Sequence, residues 1–317
     1  MISLTQTNHK AAAKFFEKTI LAECLKRLKD HKDLFDTHSV QKKTLYDYLK
    51  DNMKQILVGD LKTLFDDHND LLETIFETNY INITPKQFSP FKRAINNVFF
   101  YNDHNRWKAY EIIKLIGVDC CPYCNRNYIT TVGSDQKKFM RADFDHFLCK
   151  KKYPYFRFSF YNLIPSCVIC NQKAKGAQTT SLDDNIYPYS DSFGSSAKFY
   201  YSPKSYDEIK NGFGSDIRIK PLGKNSKKKE QVIRNIELFR LNEQYSIHHK
   251  ELHSIIRKKD AHPSSYITAI QQALPKLFKS KADTYDFIFG KSIDEKDFIN
   301  QPLAKFTKDI SEQIGLI

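Results

Sequence analysis

The 317-residue sequence lacks any long apolar run, and no stretch approaches the roughly 18 consecutive apolar residues of a membrane-spanning helix. Its first 20 residues also lack the unbroken apolar core of a signal peptide, because Asn8, Lys10 and Lys14 interrupt them. These two absences exclude the membrane-embedded and exported classes of protein. We therefore expect a soluble cytoplasmic protein without a membrane partner.

Tryptophan is scarce, with a single residue at Trp107, and the sequence contains no internal repeat. Phenylalanine and tyrosine are abundant, with 24 and 18 residues. Hydrophobic residues make up 41% of the chain and charged residues 27%, so the composition is that of a globular protein and excludes a disordered chain.

Apolar residues recur at spacings of three and four along most of the chain, which predicts a mainly α fold. The expected helices are Lys10–Leu28, Thr44–Leu57, a segment capped by Asp60, Phe91–Leu115, Glu230–Leu241 and Glu243–Arg257, with breaks at Pro85 and Pro263. Three segments follow from this pattern. A helical region spans residues 1–118, a small module spans 119–180, and a loop and short-strand segment leading into helices spans 181–317.

The middle segment has a different pattern, which predicts two strands and a short helix. Arg141–Phe147 and Tyr153–Tyr161 are the expected strands, and a helix is expected to begin near Asn171. In the second strand, aromatic residues alternate with polar ones at Phe156, Phe158 and Phe160. Such a pattern favours a buried face, although stacking of these rings on nucleobases stays open.

Two pairs of cysteines, Cys121 with Cys124 and Cys167 with Cys170, each enclose two residues. Without an export signal, paired cysteines are more typical of metal sites than of disulfides. Two such pairs supply four thiolates for a tetrahedral, structural zinc ion. The alternatives are a redox pair or unbound cysteines. Cys120 could replace Cys121, but only Cys121 gives the two-residue gap.

Forty-two residues separate the two cysteine pairs, and this insert carries polar residues suited to phosphodiester hydrolysis. Such a reaction needs a base for water and a divalent ion for the growing charge. His146 is a candidate base, and Asp145 offers an anionic oxygen for Mg²⁺ or Mn²⁺. Asn171 can add a neutral oxygen ligand. Lys175, four residues later on a helix, would share its face and could reach a phosphate.

The excess of positive charge is concentrated in residues 120–180, which contain ten Lys or Arg and three Asp or Glu, a net charge of +7. A concentrated basic patch is typical of a protein that binds a polyanion, although a solvated basic surface gives the same numbers. The run Lys150, Lys151 and Lys152 is expected on a loop between the strands, where it would either contact a nucleic acid backbone or remain solvated.

The order of these motifs resembles the HNH endonuclease family in its zinc-bearing ββα-metal form. The resemblance covers about 60 residues, from the first cysteine pair through Asp145-His146 and Asn162-Leu163-Ile164-Pro165 to Lys175. It implies that Asp145 and Asn171 hold the catalytic ion, that His146 is the general base and that Asn162 braces the connecting loop. It also implies a duplex DNA substrate, with RNA as the alternative.

The sequence departs from the family pattern at two positions. Asn171 stands where the family often has His, and Cys149 stands where relatives often have Pro. The Asn162-Leu163-Ile164-Pro165-Ser166-Cys167 run and Tyr153-Pro154 are similar to HNH proteins of bacterial anti-phage systems of the Septu and retron-linked types. This narrower resemblance implies a role in anti-phage defence.

Three functional hypotheses follow. The first is a metal-dependent endonuclease, and the second is a zinc-stabilised module that binds nucleic acid without cutting it. The third is a nuclease subunit held inactive by an ATPase partner. The third is motivated by the long helical flanks, which exceed what a small module needs for folding.

Overall fold

A computed structural model describes residues 1–82, 89–103, 106–261 and 264–316. About 53% of the chain is helical, which confirms the prediction of a mainly α fold. Pro85 and Pro263, where helix breaks were expected, lie outside the described residues. None of the helices within those ranges combines the length and the apolar character that a bilayer crossing requires.

Residues 1–82, 89–103 and 106–116 are mainly helical, and we call their helices the helical layer. Its helices are α1 (His9–Asp30), α2 (Lys32–Phe35), α3 (Leu45–Val58), α4 (Leu61–Phe76), α5 (Pro90–Val98) and α6 (Ala109–Ile116). A π-helical turn, Glu77–Ile81, extends α4. The predicted helices in this region are confirmed, except that the stretch Phe91–Leu115 contains two helices rather than one.

Two helix starts follow from side chains that satisfy free backbone N–H groups. The Thr44 hydroxyl accepts from the Asp47 N–H at 3.2 Å, and the Asp60 carboxylate accepts from the N–H groups of Lys62 and Thr63. The predicted cap at Asp60 is therefore confirmed. The Phe16 ring of α1 packs against the ring of Phe158, with centroids 5.2 Å apart, so the helical layer contacts the middle segment.

The described residues after 180 are also mainly helical, and they include one pair of six-residue antiparallel strands. The helices there are α7 (Tyr206–Asn211), α8 (Ser226–Leu238), α9 (Leu241–Tyr245), α10 (His249–Ala261), α11 (Ser264–Ala273), α12 (Lys281–Phe289) and α13 (Ala304–Gln313). In the described part of the chain the strands form four two-stranded antiparallel sheets: β1 (Ser39–Val40) with β2 (Lys43–Thr44), β3 (Val132–Gly133) with β4 (Lys138–Met140), β5 (Asp143–His146) with β6 (Leu163–Ser166), and β7 (Ala197–Ser202) with β8 (Asp216–Pro221).

The middle segment is built on β5 and β6. Asp143 lies opposite Ser166 and His146 lies opposite Leu163, and a π-helical turn, Ile169–Lys175, follows β6. The prediction of a strand within Arg141–Phe147 is confirmed in its centre. The helix expected near Asn171 exists, but it is a π-helical turn that begins two residues earlier.

The predicted strand Tyr153–Tyr161 is wrong. Its residues form two 3₁₀ turns, Pro154–Phe156 and Phe160–Asn162. The alternation misled because the polar residues between the rings, Arg157 and Ser159, are buried as well, so the segment has no solvent face. All three rings belong to the core, as the sequence favoured.

One hydrophobic cluster runs through all three sequence segments. The Tyr245 hydroxyl of α9, for example, donates to the Cys124 carbonyl at 2.7 Å. Packing of this kind holds the middle segment between the two helical regions. The segment borders at residues 118 and 180 stay sequence predictions.

Candidate functional site

Four cysteines of the middle segment converge at one point. The sulfur atoms of Cys121, Cys124, Cys167 and Cys170 all lie within 4.8 Å of one another, and all four residues are buried. A tetrahedral ion with metal–sulfur bonds of about 2.3 Å holds its four sulfurs roughly 3.8 Å apart, which is within this limit. The cluster could therefore hold a metal ion such as zinc, and it includes Cys121 rather than Cys120.

Polar hydrogens also point at these sulfurs. The Arg126 N–H donates to the Cys124 Sγ at 3.4 Å, the Cys170 N–H to the Cys167 Sγ at 3.3 Å, and the Asn127 amide to the Cys167 Sγ at 3.2 Å. Burial raises the pKa of the Cys121 thiol well above its usual range, whereas hydrogen bonds from the other three thiols lower the pKa of Cys167. A divalent cation would relieve this conflict, because metal binding favours the thiolate at every position.

The strand β5 and the π-helical turn contact each other at two levels. The Asn171 amide nitrogen donates to the Asp143 carboxylate at 3.2 Å, and the Gln172 amide donates to the same oxygen at 2.8 Å. Two residues further along β5, Asp145 pairs with Lys175. Residues two apart on a strand share a face, so this face of β5 presents both carboxylates to the turn.

Lys175 is only 3% exposed, and its ammonium group forms hydrogen bonds with residues of β5. The Lys175 Nζ lies 2.9 and 2.8 Å from the two Asp145 carboxylate oxygens and also donates to the His146 and Phe147 carbonyls. The structure thus places Lys175 on Asp145, although the sequence predicted that it would extend to a phosphate. A buried lysine needs such a partner, because an unpaired buried charge is strongly unfavourable.

Tyr123, which lies between the first two cysteines, connects the cysteine cluster to β5. Its hydroxyl donates to the Asp145 Oδ2 at 2.6 Å, and its ring stacks on Phe239 with centroids 4.2 Å apart. Burial and the negative charge of Asp145 raise the pKa of Tyr123 well above its usual range, so the hydroxyl keeps its proton. The position of Asp145 therefore depends on the fold of the first cysteine pair.

His146 is buried beside the Tyr101 ring, whose centroid lies 4.4 Å from its own. The His146 Nε2 lies 2.9 Å from the Arg157 carbonyl oxygen. A carbonyl can only accept, so Nε2 carries the proton and the neutral ring keeps a lone pair on Nδ1. Burial, assisted by the charge of Lys150, lowers the pKa of His146 well below its usual range. The ring is therefore neutral near pH 7.

Asn162 is fully buried and holds the loop that connects β5 to β6. Its Oδ1 accepts from the Leu148 N–H at 2.6 Å, and its Nδ2 donates to the carbonyls of Leu148 and Phe156 at 3.1 and 3.0 Å. The Asn162 side chain thus forms hydrogen bonds with the backbone at two separate points of the loop, Leu148 and Phe156. This geometry agrees with a bracing role for Asn162.

Most of the predicted catalytic and substrate-binding residues line one cleft of about 490 Å³, whereas Asn162 does not. Asp145, His146 and Asn171 all line it, although adjacent residues of a strand point to opposite faces. The cleft wall also includes basic and polar residues that complete its surface: Arg141, Asp143, Lys150, Lys151, Gln172 and Lys175. The cleft lining thus combines carboxylate and amide groups with cations.

The three loop lysines differ in their surroundings. Lys150 is half-buried, with its Nζ 5.2 Å from the Tyr101 ring centroid, and burial lowers its pKa. Lys151 is exposed and lines the cleft. Lys152 is exposed but lies over Tyr153, with its Nζ 5.2 Å from that ring centroid, and does not line the cleft. Of the three, Lys150 and Lys151 are positioned to face a ligand there.

The sequence prediction missed three residues that shape this site: Tyr101, Tyr123 and Arg157. Arg157 is buried, its guanidinium bonds to Asn96 of α5, and its carbonyl orients His146. Only Tyr123 carried a signal in the sequence, since it sits inside a cysteine pair. Tyr101 and Arg157 are distant in sequence and reach the site through packing.

Comparisons of the chain with protein-family models, with curated proteins and with solved structures find no match.

Proposed function

We propose that this protein is a metal-dependent endonuclease of the HNH type that hydrolyses phosphodiester bonds, with duplex DNA as its expected substrate. The observation that carries the proposal is the shared cleft, in which a neutral buried imidazole lies among carboxylate, amide and ammonium groups. Zinc on the four cysteines would act as a scaffold, because four thiolates leave no open position for a substrate.

His146 is suited to the role of general base. Its Nε2 proton is held by the Arg157 carbonyl, so the Nδ1 lone pair is the basic atom. Within the described part of the chain, the Arg157 carbonyl is its one hydrogen-bond partner. A water molecule in the cleft would therefore give its proton to Nδ1.

Asp145 and Asn171 are the proposed ligands of the catalytic ion, and the half-exposed Asp143 lies beside them on β5. When bound, Mg²⁺ or Mn²⁺ would neutralise the charge that grows on the phosphate and the leaving oxygen. Both Asp145 oxygens accept hydrogen bonds from Lys175, and one also accepts from Tyr123. Binding at Asp145 therefore requires the Lys175 ammonium to release an oxygen, after which it would be available to a phosphate.

The direct test is the cutting of supercoiled plasmid by zinc-loaded protein with Mg²⁺ or Mn²⁺. The parent protein is expected to cut, and His146→Ala to lose activity by roughly a hundredfold or more. His253→Ala is the matched control, because His253 bonds to the Asn211 carbonyl at 2.7 Å and lies outside the cleft. Parallel reactions with single-stranded DNA and RNA identify the substrate. Equal cutting by His146→Ala would remove His146 from the mechanism, and no cutting by the parent would contradict the proposal.

One observation favours a second candidate, a zinc-stabilised module that binds nucleic acid without cutting it. The buried Asp145–Lys175 pair is self-sufficient as a structural ion pair. On this alternative, the double substitution Asp145→Asn with Lys175→Met keeps full nucleic-acid binding, and the parent releases no product. A regulatory ATPase partner and a role in anti-phage defence rest on the sequence resemblance and stay predictions.

A further inference from the structure

The hairpin formed by β3 and β4, together with Tyr128 just before it, presents large apolar side chains to solvent. Phe139 is 79% exposed, Tyr128 66%, Met140 47% and Val132 46%. Every residue of β4 is exposed. Single exposed hydrophobic residues are common on protein surfaces, whereas four within 13 residues of chain are a candidate interaction surface. We call these four residues, together with Lys137, Lys138 and Arg141, the hairpin face.

Several contacts hold this hairpin in place. The Asp135 carboxylate in its turn accepts from the backbone N–H groups of Tyr110 and Glu111 at 3.2 and 3.3 Å. These groups belong to the first turn of α6, where free N–H groups favour an anion. Lys114, further along α6, donates to the Gly133 carbonyl. These hydrogen bonds fix the hairpin, and with it the exposed side chains, to α6.

A β-bulge sets the direction of the most exposed ring. Val132 pairs with Met140 and Gly133 pairs with Lys138, so Phe139 falls between the two pairs. Gly133 has φ +103°, and a Cβ there would lie 2.6 Å from the Lys137 carbonyl oxygen, so the bulge requires glycine. Bulges are a common means of aiming a side chain beside an active site.

Cations flank the exposed ring and connect it to the cleft. Lys137 and Lys138 are exposed on one side of Phe139, and Arg141 on the other side lines the cleft. The Asp135 carboxylate in the turn of the hairpin accepts hydrogen bonds from α6. Phe139 precedes Asp145 by six residues, which span at most about 20 Å. This reach corresponds to about six base pairs of a duplex.

We propose that the hairpin face is a nucleic-acid contact, in which Phe139 packs against bases while Lys137, Lys138 and Arg141 lie along the phosphate backbone. An exposed ring flanked by cations matches the way that proteins bind nucleic acid strands, where rings stack on bases and cations neutralise phosphates. The inference rests on the proposed nuclease function, since it supplies the substrate contact for that cleft. The charge of the face favours a polyanion over an apolar protein surface.

The test uses the full-length zinc-loaded protein carrying His146→Ala, so that binding is measured without cutting. The probes are a fluorescein-labelled DNA duplex and the matching single strand, followed by fluorescence anisotropy. Phe139→Ala is expected to weaken binding of at least one probe fivefold or more. Phe139→Trp, which keeps a ring, is expected to retain affinity. Lys137→Ala is expected to lower the salt dependence by about one phosphate contact.

Phe287→Ala is the matched control, because Phe287 is 69% exposed on α12, which packs against α10 and α11. It is expected to bind as the parent does. Unchanged affinity in Phe139→Ala overturns the inference, and so does a change in its sedimentation rather than its binding, which would assign the face to a protein contact. If the parent cuts plasmid while Phe139→Ala binds normally, only the hairpin inference fails. If the parent neither binds nor cuts, the proposed nuclease function fails with it.

Discussion

The cysteine cluster and the cleft both include residues of the π-helical turn, yet their charged groups are arranged differently. In the cluster, the sulfur atoms of four buried cysteines lie within 4.8 Å of one another. In the cleft, the buried Asp145 carboxylate already faces the Lys175 ammonium. The cluster could therefore hold a metal ion such as zinc, whereas the Asp145 carboxylate already has a cationic partner. On the function proposed above, the cluster would keep a permanent metal and the cleft would bind an exchangeable ion.

Removal of one cluster ligand should have the largest effect. Binding of a structural zinc contributes on the order of 10 kcal/mol, which is comparable to the whole stability of a domain. Cys121→Ser is expected to lose the zinc and most of the cooperative thermal transition. Elemental analysis and calorimetry measure both. Cys120→Ser changes the adjacent buried cysteine, which is outside the cluster, and should keep one zinc per chain. Equal zinc content in the two variants would contradict the assignment.

The difference between the cluster and the cleft can be tested at the cleft with Lys175→Met. This change leaves Asp145 buried without its cation, so the free energy of unfolding should fall by about 3–5 kcal/mol in the absence of divalent ions. Addition of Mg²⁺ or Mn²⁺ should restore more stability to the variant than to the parent, because the carboxylate is then free to bind the ion. Asp145→Asn with Lys175→Met is the control and should not respond. An identical response of parent and variant would argue against an ion site at Asp145.

A smaller effect is expected from the connection between the two regions. Tyr123→Phe removes the hydrogen bond to Asp145 and should lower stability by about 1.5–3 kcal/mol in urea unfolding, because the acceptor is charged and buried. Zinc content should stay unchanged. Tyr245→Phe, which loses a bond to the neutral Cys124 carbonyl, is the comparison and should cost less. A larger loss in Tyr245→Phe would contradict the importance given to Tyr123.

The smallest effect concerns His68, which lies in the helical layer away from both regions. Its Nδ1 bonds to the Tyr48 hydroxyl at 2.7 Å, and burial lowers its pKa. A lowered pKa means that the unfolded chain binds the proton more readily, so stability is complete above about pH 6.5 and falls as the pH drops below it. His68→Gln should make this loss shallower in denaturant unfolding between neutral and mildly acidic pH. An unchanged slope would contradict the shift. Part of the slope should remain, because the pKa of His9 and His248 is also lowered by burial.

What could be predicted from the sequence depends on how local each feature is. The helices α1, α3 and α4 follow from periodicity and from caps such as Asp60, and the cysteine cluster follows from two spacings. The segment 153–161 misled because its polar residues are buried by contacts from elsewhere: Arg157 bonds to Asn96, and the Ser159 hydroxyl donates to the Ile56 carbonyl. Pairing of Lys175 with Asp145 is likewise a result of packing between the π-helical turn and β5.

The account requires that one chain binds two metal ions, a permanent zinc at the cysteine cluster and an exchangeable Mg²⁺ or Mn²⁺ at the cleft. Titration of zinc-loaded protein with Mn²⁺ in the presence of duplex DNA, followed by the electron paramagnetic resonance signal of free Mn²⁺, measures binding of the exchangeable ion. We predict one Mn²⁺ bound per chain, lost in Asp145→Asn while zinc content stays at one. Binding of Mn²⁺ that is equal in Asp145→Asn, or no Mn²⁺ bound by the parent, would contradict the account.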